Sequence, residues 1–444
     1  AALAAAELGA RAALVVRDLR YEDNTVRWLA SSPGPASSLA TPSEGNGRSA
    51  ARVAVPFAEA SNAWRRQLAG QLPLWELLGY GIDIFFGAAR FVGPSALAVD
   101  SIGLEFRRAL VAIGPGWATL NSADSGEAEF LTPEALPGLD ALPQRLLIVG
   151  QGSQACEIAQ AFCRLGSDVH VVSGDGLLPR EDRRTADWVQ QQLASDGLRI
   201  QRGWKISSRS QSGRWSSVVL ERHGQKQEVI AERMVALSDE PLQLGLLDPV
   251  AANIRCGPRG MVIDRRLQTT NRNVYALGAA AGLDCLEGSI TALARLAVRN
   301  ALLGRNEKIH HLLTGRATYT DPQLAHLGLS LEECDAAGRA VETRWIELTD
   351  ADETHGRGAC GLASLYIAES SGRLLGVSIA ARQAAALAAE MSAHLCMLGR
   401  WEELADCTSI SAEHQRAVEQ IVAGCRPARS RKPIWPLGGW PARS

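Results

Sequence analysis

The sequence predicts an α/β chain with two Rossmann-like dinucleotide units and an α+β C-terminal segment. Three stretches carry that prediction. The first is Arg145 to Ser173: an apolar run Leu146-Leu147-Ile148-Val149, a turn Gly150-Gln151-Gly152, a helix-period segment with Ile158, Ala161, Phe162 and Leu165 on one face, a stop at Gly166, and a second β-branched run Val169-His170-Val171-Val172. Strand, glycine turn, helix and strand in this order are the phosphate-cradling unit of dinucleotide folds. The second is Ala1 to Val16, helix composition, Gly9 and then a strand, which matches the latter half of another such unit. The third begins at Ala317, where strands come as neighbours rather than alternating with helices.

Within the central unit each small residue has a job. Gly150 permits the tight turn, and Gly152 lets backbone approach a pyrophosphate at the helix N-terminus, where N–H groups and the dipole favour anions. Ala155 takes the place of the third glycine and still allows close helix–strand packing. The second strand ends in Ser173-Gly174, with neither an acid for an adenosine ribose nor a base for a 2′-phosphate there; Asp175 follows two positions on. In the N-terminal unit Val16-Arg17 stands where the ribose acid is expected.

Composition narrows the class. A chain of 444 residues, 46% hydrophobic and 21% charged, has the make-up of a soluble protein of two or three domains. A net charge of −2 gives no electrostatic case for nucleic acid or a membrane surface, and no apolar run approaches a membrane span of about 18 residues. The nine cysteines, none spaced C-x-x-C, read as reduced thiols of a cytoplasmic protein. His310-His311 has no partner at ligand spacing, so no metal site is expected. The chain opens on Ala-Ala-Leu inside an amphipathic helix, and a strand and glycine turn are expected upstream.

Taken in order, residues 31–48 predict an irregular Ser/Pro/Gly-rich loop and 57–68 a helix. Strands are expected at 81–91 (with a turn), 96–99, 104–106 and 109–113. Helix 182–195, strand 198–205, a hairpin around His223-Gly224 and strand 234–237 complete the central domain. Strands at 260–264 and 273–278 precede a helix over 289–303. Ser330-Leu331-Glu332-Glu333 is a capping box. A strand over 341–348, a hairpin of 362–368 with 374–380, and helices over 383–398 and 412–423 follow. The tail 426–444 carries five basic residues, no acidic ones, four prolines, Trp435 and Trp440, and reads as an arm or a disordered end.

Gly81 to Phe91, Leu146 to Val172, Asn273 to Gly282 and Tyr319-Thr320-Asp321-Pro322-Gln323-Leu324-Ala325-His326-Leu327-Gly328 together resemble the pyridine nucleotide-disulfide oxidoreductases, the group of mercuric reductase and dihydrolipoamide dehydrogenase. The resemblance implies an FAD-type domain in two segments (1–143 and 241–315), an inserted NAD(P)-binding domain (144–240), a dimerisation domain (316–425) that makes a homodimer, and the basic tail 426–444. It implies FAD and NAD(P) as cofactors, with Glu157 near the nicotinamide and Gly114 and Gly278 in flavin-site turns.

The same resemblance exposes departures. The family's redox cysteine pair falls in Tyr21 to Ser32, which has no cysteine, and sulfur exchange needs a thiolate. The catalytic histidine aligns near Ser409; His414 lies five residues on, about 7 Å of helical rise away. The flavin turns read Ala112-Ile113-Gly114, Leu237-Ser238-Asp239 and Gly278-Ala279, the last lacking the acid that holds the ribityl chain. Each lost hydrogen bond costs ~1–3 kcal/mol. The expectation is a degenerate family member without catalytic residues or disulfide reductase activity and with at most weak nucleotide binding. Two alternatives stand beside it: an active NAD(P)H-flavin oxidoreductase with a non-disulfide acceptor, and a non-enzymatic dimeric interaction module.

Overall fold

The structure is a computed structural model that describes residues 2–16, 57, 74–113, 130–174, 176–237, 244–283, 287–310, 314–349, 360–398, 404, 406, 409 and 411–425. The expected loop 31–48, most of the expected helix 57–68, the stretch 21–32, Gly114, Asp175, Ser238-Asp239 and the tail lie outside the described residues.

The central unit forms as its pattern dictates. Strand Arg145–Val149 lies between Arg233–Ala236 and Asp168–Ser173, with Arg199–Arg202 outermost, all parallel. Leu146, Leu147 and Ile148 are all buried, because a parallel strand covered on both faces has no solvent side. Helix Ser153–Leu165 ends at Gly166 in the left-handed conformation. The single apolar stripe expected on this helix is an underestimate: every residue from Ala155 to Cys163 is buried. One side packs on the sheet, and Glu157 and Gln160 on the other bond to residues 319–321.

The expected strand 198–205 is two strands, Arg199–Arg202 and Lys205–Ser212. Gly203, at φ +76°, breaks it, and the second piece pairs instead with Trp215–Arg222 and Gln225–Ala231 in an antiparallel three-stranded sheet. The expected strand 260–264 shrinks to a two-residue pairing of Gly260–Met261 with Cys256–Gly257.

Two short parallel pairs belong to the flanking segments: Ala13–Val16 with Asp83–Phe86, and Ala109–Val111 with Val274–Ala276. Helix Glu287–Leu303 packs on the latter through Leu293, Leu296 and Ala297.

From Gly315 the chain builds a five-stranded antiparallel sheet in the order Gly315–Thr318, Gln323–Gly328, Leu374–Ala381, Gly361–Ala368, Val341–Leu348. Alternation splits it into two buried faces. Ala325, Leu327, Ala363, Leu365, Val377 and Ile379 meet helices Ala384–Leu398 and Ala412–Cys425. The opposite face, with Leu324, His326, Ser364, Tyr366, Ser378 and Ala380, is equally buried. Helix Arg183–Ser195 of the central unit lies against it: Thr185 Oγ1 and Ser378 Oγ are 2.9 Å apart, and the Ser364 hydroxyl donates to Asp182 at 2.8 Å. Asp182 also caps that helix by accepting from the Thr185 N–H. Ser330 and Glu333 make both bonds of the expected capping box.

Candidate functional site

The glycine turn after strand Arg145–Val149 is the best-defined candidate. Gly150 sits at φ +146°, and a Cβ there would lie 2.2 Å from the Leu237 carbonyl oxygen. Only glycine fits, because the turn passes directly over the neighbouring strand's end. Gly150 N–H donates to Val172 O at 2.9 Å. Gly152, at φ +92°, is the N-cap residue of helix Ser153–Leu165, and the first turn of that helix carries no acid to repel an anion. Its own N–H donates to Leu177 O at 2.6 Å, so this amide is used within the protein. Ala155 is fully buried among Ile148, Val171 and Leu177, the close packing expected of the third-glycine position.

At the ribose end, Ser173 is 2% exposed and its hydroxyl has no hydrogen-bond partner among the described residues. The Gly203 N–H is shared between the carbonyls of Ser173 and Gly174, 2.8 Å from each. This places the end of the third strand beside the end of the second, with Arg202 in register with Ser173.

Glu157 is fully buried, and its carboxylate accepts the Tyr319 N–H at 2.8 Å. Beside it, Gln160 accepts from Asp321 N at 2.8 Å and donates to Asp321 O at 2.7 Å, while Arg164 pairs with the Asp321 carboxylate at 3.0 Å. Glu157 thus ties the nucleotide-type helix to the start of the C-terminal sheet. Nothing local in the sequence signals that contact, which spans 162 positions.

On the flavin-type side, Gly278 has φ +61° and opens a short 3₁₀ turn, Gly278–Ala281, next to the parallel pair of strands. Ala279 offers a methyl group where an acceptor is expected. Gly114 lies outside the described residues.

In the C-terminal domain the His414 Nδ1 is 3.0 Å from Glu390 Oε2, and both side chains are buried. Ser411 holds the start of that helix by accepting the His414 N–H at 3.1 Å, and the Ser409 N–H donates to Gln415 Oε1 at 3.0 Å. The Glu390 partner was not legible in sequence, because it comes from a different helix.

Among the described cysteines, Cys256 and Cys360 are exposed. Cys156, Cys163, Cys334 and Cys425 are buried, and burial pushes the thiols of Cys256 and Cys334 up, away from the thiolate. Among the described residues no cluster of three His, Cys, Asp or Glu side chains is placed to hold a metal, and no helix is long and apolar enough to cross a membrane.

The profile of the pyridine nucleotide-disulphide oxidoreductases matches residues 1–301, and that of their dimerisation domain matches residues 314–420. The chain belongs to this family. It is 29% identical over 272 residues to a mercuric reductase of Bacillus cereus, covering 61% of this chain and 43% of that protein. It is 29% identical over 328 residues to a dihydrolipoyl dehydrogenase of Thermus scotoductus, covering 72% of this chain and 70% of that one. The match thus spans less than half the length of the mercuric reductase. The fold is that of LpdA from Mycobacterium tuberculosis, with a TM-score of 0.76 at 22% identity over 96% of this chain and 95% of that one. Family members are FAD- and pyridine-nucleotide-dependent flavoproteins.

Proposed function

We propose that the chain is a family member that keeps the scaffold without disulfide exchange: a homodimer through residues 316–425, binding a pyridine nucleotide weakly at the Gly150–Gly152 turn. The observation that carries this reading is the placement of His414. It is the histidine nearest in sequence to Ser409, near which the family's catalytic histidine aligns; it is 4% exposed and its Nδ1 is 3.0 Å from Glu390 Oε2. An imidazole buried in its own subunit's core cannot relay protons at a flavin–sulfur centre. Tyr21 to Ser32 supplies no cysteine to form such a centre.

A second reading, an NAD(P)H-flavin oxidoreductase that passes electrons directly to an acceptor, draws on the left-handed Gly278 turn. FAD would be held there by backbone groups of the turn, with Ala279 contributing no hydrogen bond, and when bound it would supply two-electron chemistry.

Purified protein tests both. The first reading expects a colourless dimer whose melting temperature rises with NADH or NADPH, since a ligand stabilises only the state it binds, and no reduction of a disulfide substrate. A yellow protein oxidising NAD(P)H with a disulfide or mercuric ion at ordinary enzymatic rates would falsify it. A yellow protein inactive on both, yet active with quinone or oxygen, would favour the second.

A further inference from the structure

We infer that two copies of the chain pair through the free edge of the C-terminal sheet, strand Val341–Leu348 against its counterpart, antiparallel and centred on Thr343. The contact is additional to the homodimer proposed above, so the full chain assembles beyond a dimer.

The edge is long and open. Strand Val341–Leu348 is the last of its sheet and pairs on one side alone, with Gly361–Ala368, along its whole length and without a bulge. On that side the Ala340 carbonyl accepts the Glu369 N–H at 3.1 Å. Antiparallel pairing alternates. The even-numbered residues therefore turn their backbone groups to Gly361–Ala368, and Val341, Thr343, Trp345 and Glu347 turn theirs outward. Among the described residues none of these four makes a backbone hydrogen bond on the outward side.

An edge of this kind templates another strand, and proteins that avoid such pairing place a proline, a lysine or a bulge in it. Lys205–Ser212, an edge of the three-stranded sheet, has a lysine and a register shift after Ile206. Val341–Leu348 has none of the three.

Charge chooses the partner and the register. Outward residues must face outward residues, so the two-fold axis passes through a residue rather than between two. Centred on Glu342 or on Arg344, the strand sets that charge against its own copy, which is unfavourable. Centred on Trp345, it brings no opposite charges together. Centred on Thr343, it sets Glu342 against the second copy's Arg344, and symmetry makes the same pair twice. Within one chain Arg344 already grips Glu342 through Nε and Nη2, each at 2.8 Å. Pairing then places each carboxylate between two guanidinium groups, and each guanidinium between two carboxylates.

The other face of the sheet fits the same register. Trp345 is 48% exposed, although the Arg184 guanidinium stacks 3.8 Å from its ring centroid. The Thr343-centred register lays Val341 of the second copy against this indole and Thr343 against Thr343, both favourable cross-strand pairs.

The experiment is light scattering behind gel filtration on the full chain and three variants, each checked for cooperative melting. Thr343→Pro removes an outward N–H and leaves the bonds to Gly361–Ala368 in place. Glu342→Arg sets arginine against arginine, and Glu342→Arg combined with Arg344→Glu restores opposite charges. The parent is expected to be larger than a dimer. Thr343→Pro and Glu342→Arg should each at least halve its molar mass, and the charge-exchanged double variant should regain it. A parent no larger than a dimer overturns the inference, the edge then being bare or taken by another segment or partner. A monomeric parent overturns the homodimer reading as well. A mass unmoved by Thr343→Pro overturns the edge pairing, and one lowered by Thr343→Pro but not by Glu342→Arg overturns the register.

Discussion

His414 Nδ1 and Glu390 Oε2 lie 3.0 Å apart with side chains 5% and 7% exposed, joining two helices packed on the same face of the C-terminal sheet. A pair so enclosed is a structural tie, and its removal should register in stability. Glu390→Ala leaves a buried imidazole nitrogen unsatisfied and is expected to cost ~1–3 kcal/mol. Glu390→Gln, which keeps an acceptor, should cost clearly less. Urea unfolding of the two variants checks the order, and equal losses would show that packing rather than the bond dominates.

Gly150 and Gly338 make a contrast. Both have positive φ, +146° and +64°, but a Cβ on Gly150 meets the Leu237 carbonyl oxygen at 2.2 Å, whereas one on Gly338 meets nothing within 4 Å. Gly338→Ala should cost about 1–2 kcal/mol, the backbone term alone. Gly150→Ala adds overpacking and should cost roughly 3 kcal/mol or more. Melting temperatures of the two variants would decide it; a Gly150→Ala protein as stable as Gly338→Ala would mean that the turn can relax.

His326 gives an acid-sensitive seam. Burial, and then the Arg316 charge, push its imidazole from 6.5 down to about 3. The native state holds it neutral, while the unfolded chain takes a proton below pH 6.5. The folded state therefore loses stability as pH falls from 6.5 towards 3, by about 1.4 kcal/mol per pH unit from this group. His326→Leu should flatten that limb in urea titrations between about pH 4 and 6.5. An unchanged slope would assign the acid sensitivity to other groups.

Arg316 anchors the same seam from the C-terminal sheet. Its guanidinium bonds Glu181 at 2.6 Å, with side chains 18% and 9% exposed, and also reaches the Arg180 carbonyl. Arg316→Ala removes the guanidinium that pairs with a nearly buried carboxylate and should cost on the order of 3 kcal/mol. Removing Glu181 as well should return part of the loss. A double variant no better than the single one would show that the carboxylate is satisfied elsewhere.

The sequence by itself determined what depends on local pattern. The glycine turn, the helix it opens, the Ser330 capping box and the strands of the C-terminal sheet all follow from periodicity, turn chemistry and steric permission, which act over a few residues. That Tyr21 to Ser32 holds no cysteine and that Ser409 is not a histidine is equally plain in the sequence. Tertiary structure decided everything that needs two distant segments to meet. It broke the strand after Arg202 by giving its continuation another partner, and buried both faces of helix Ser153–Leu165 by docking residues 319–321. It paired His414 with Glu390, and it carried Arg202 to Ser173 across a strand register. Propensity and spacing hold no record of such contacts, because their free energy exists only once the chain has closed the loop between them.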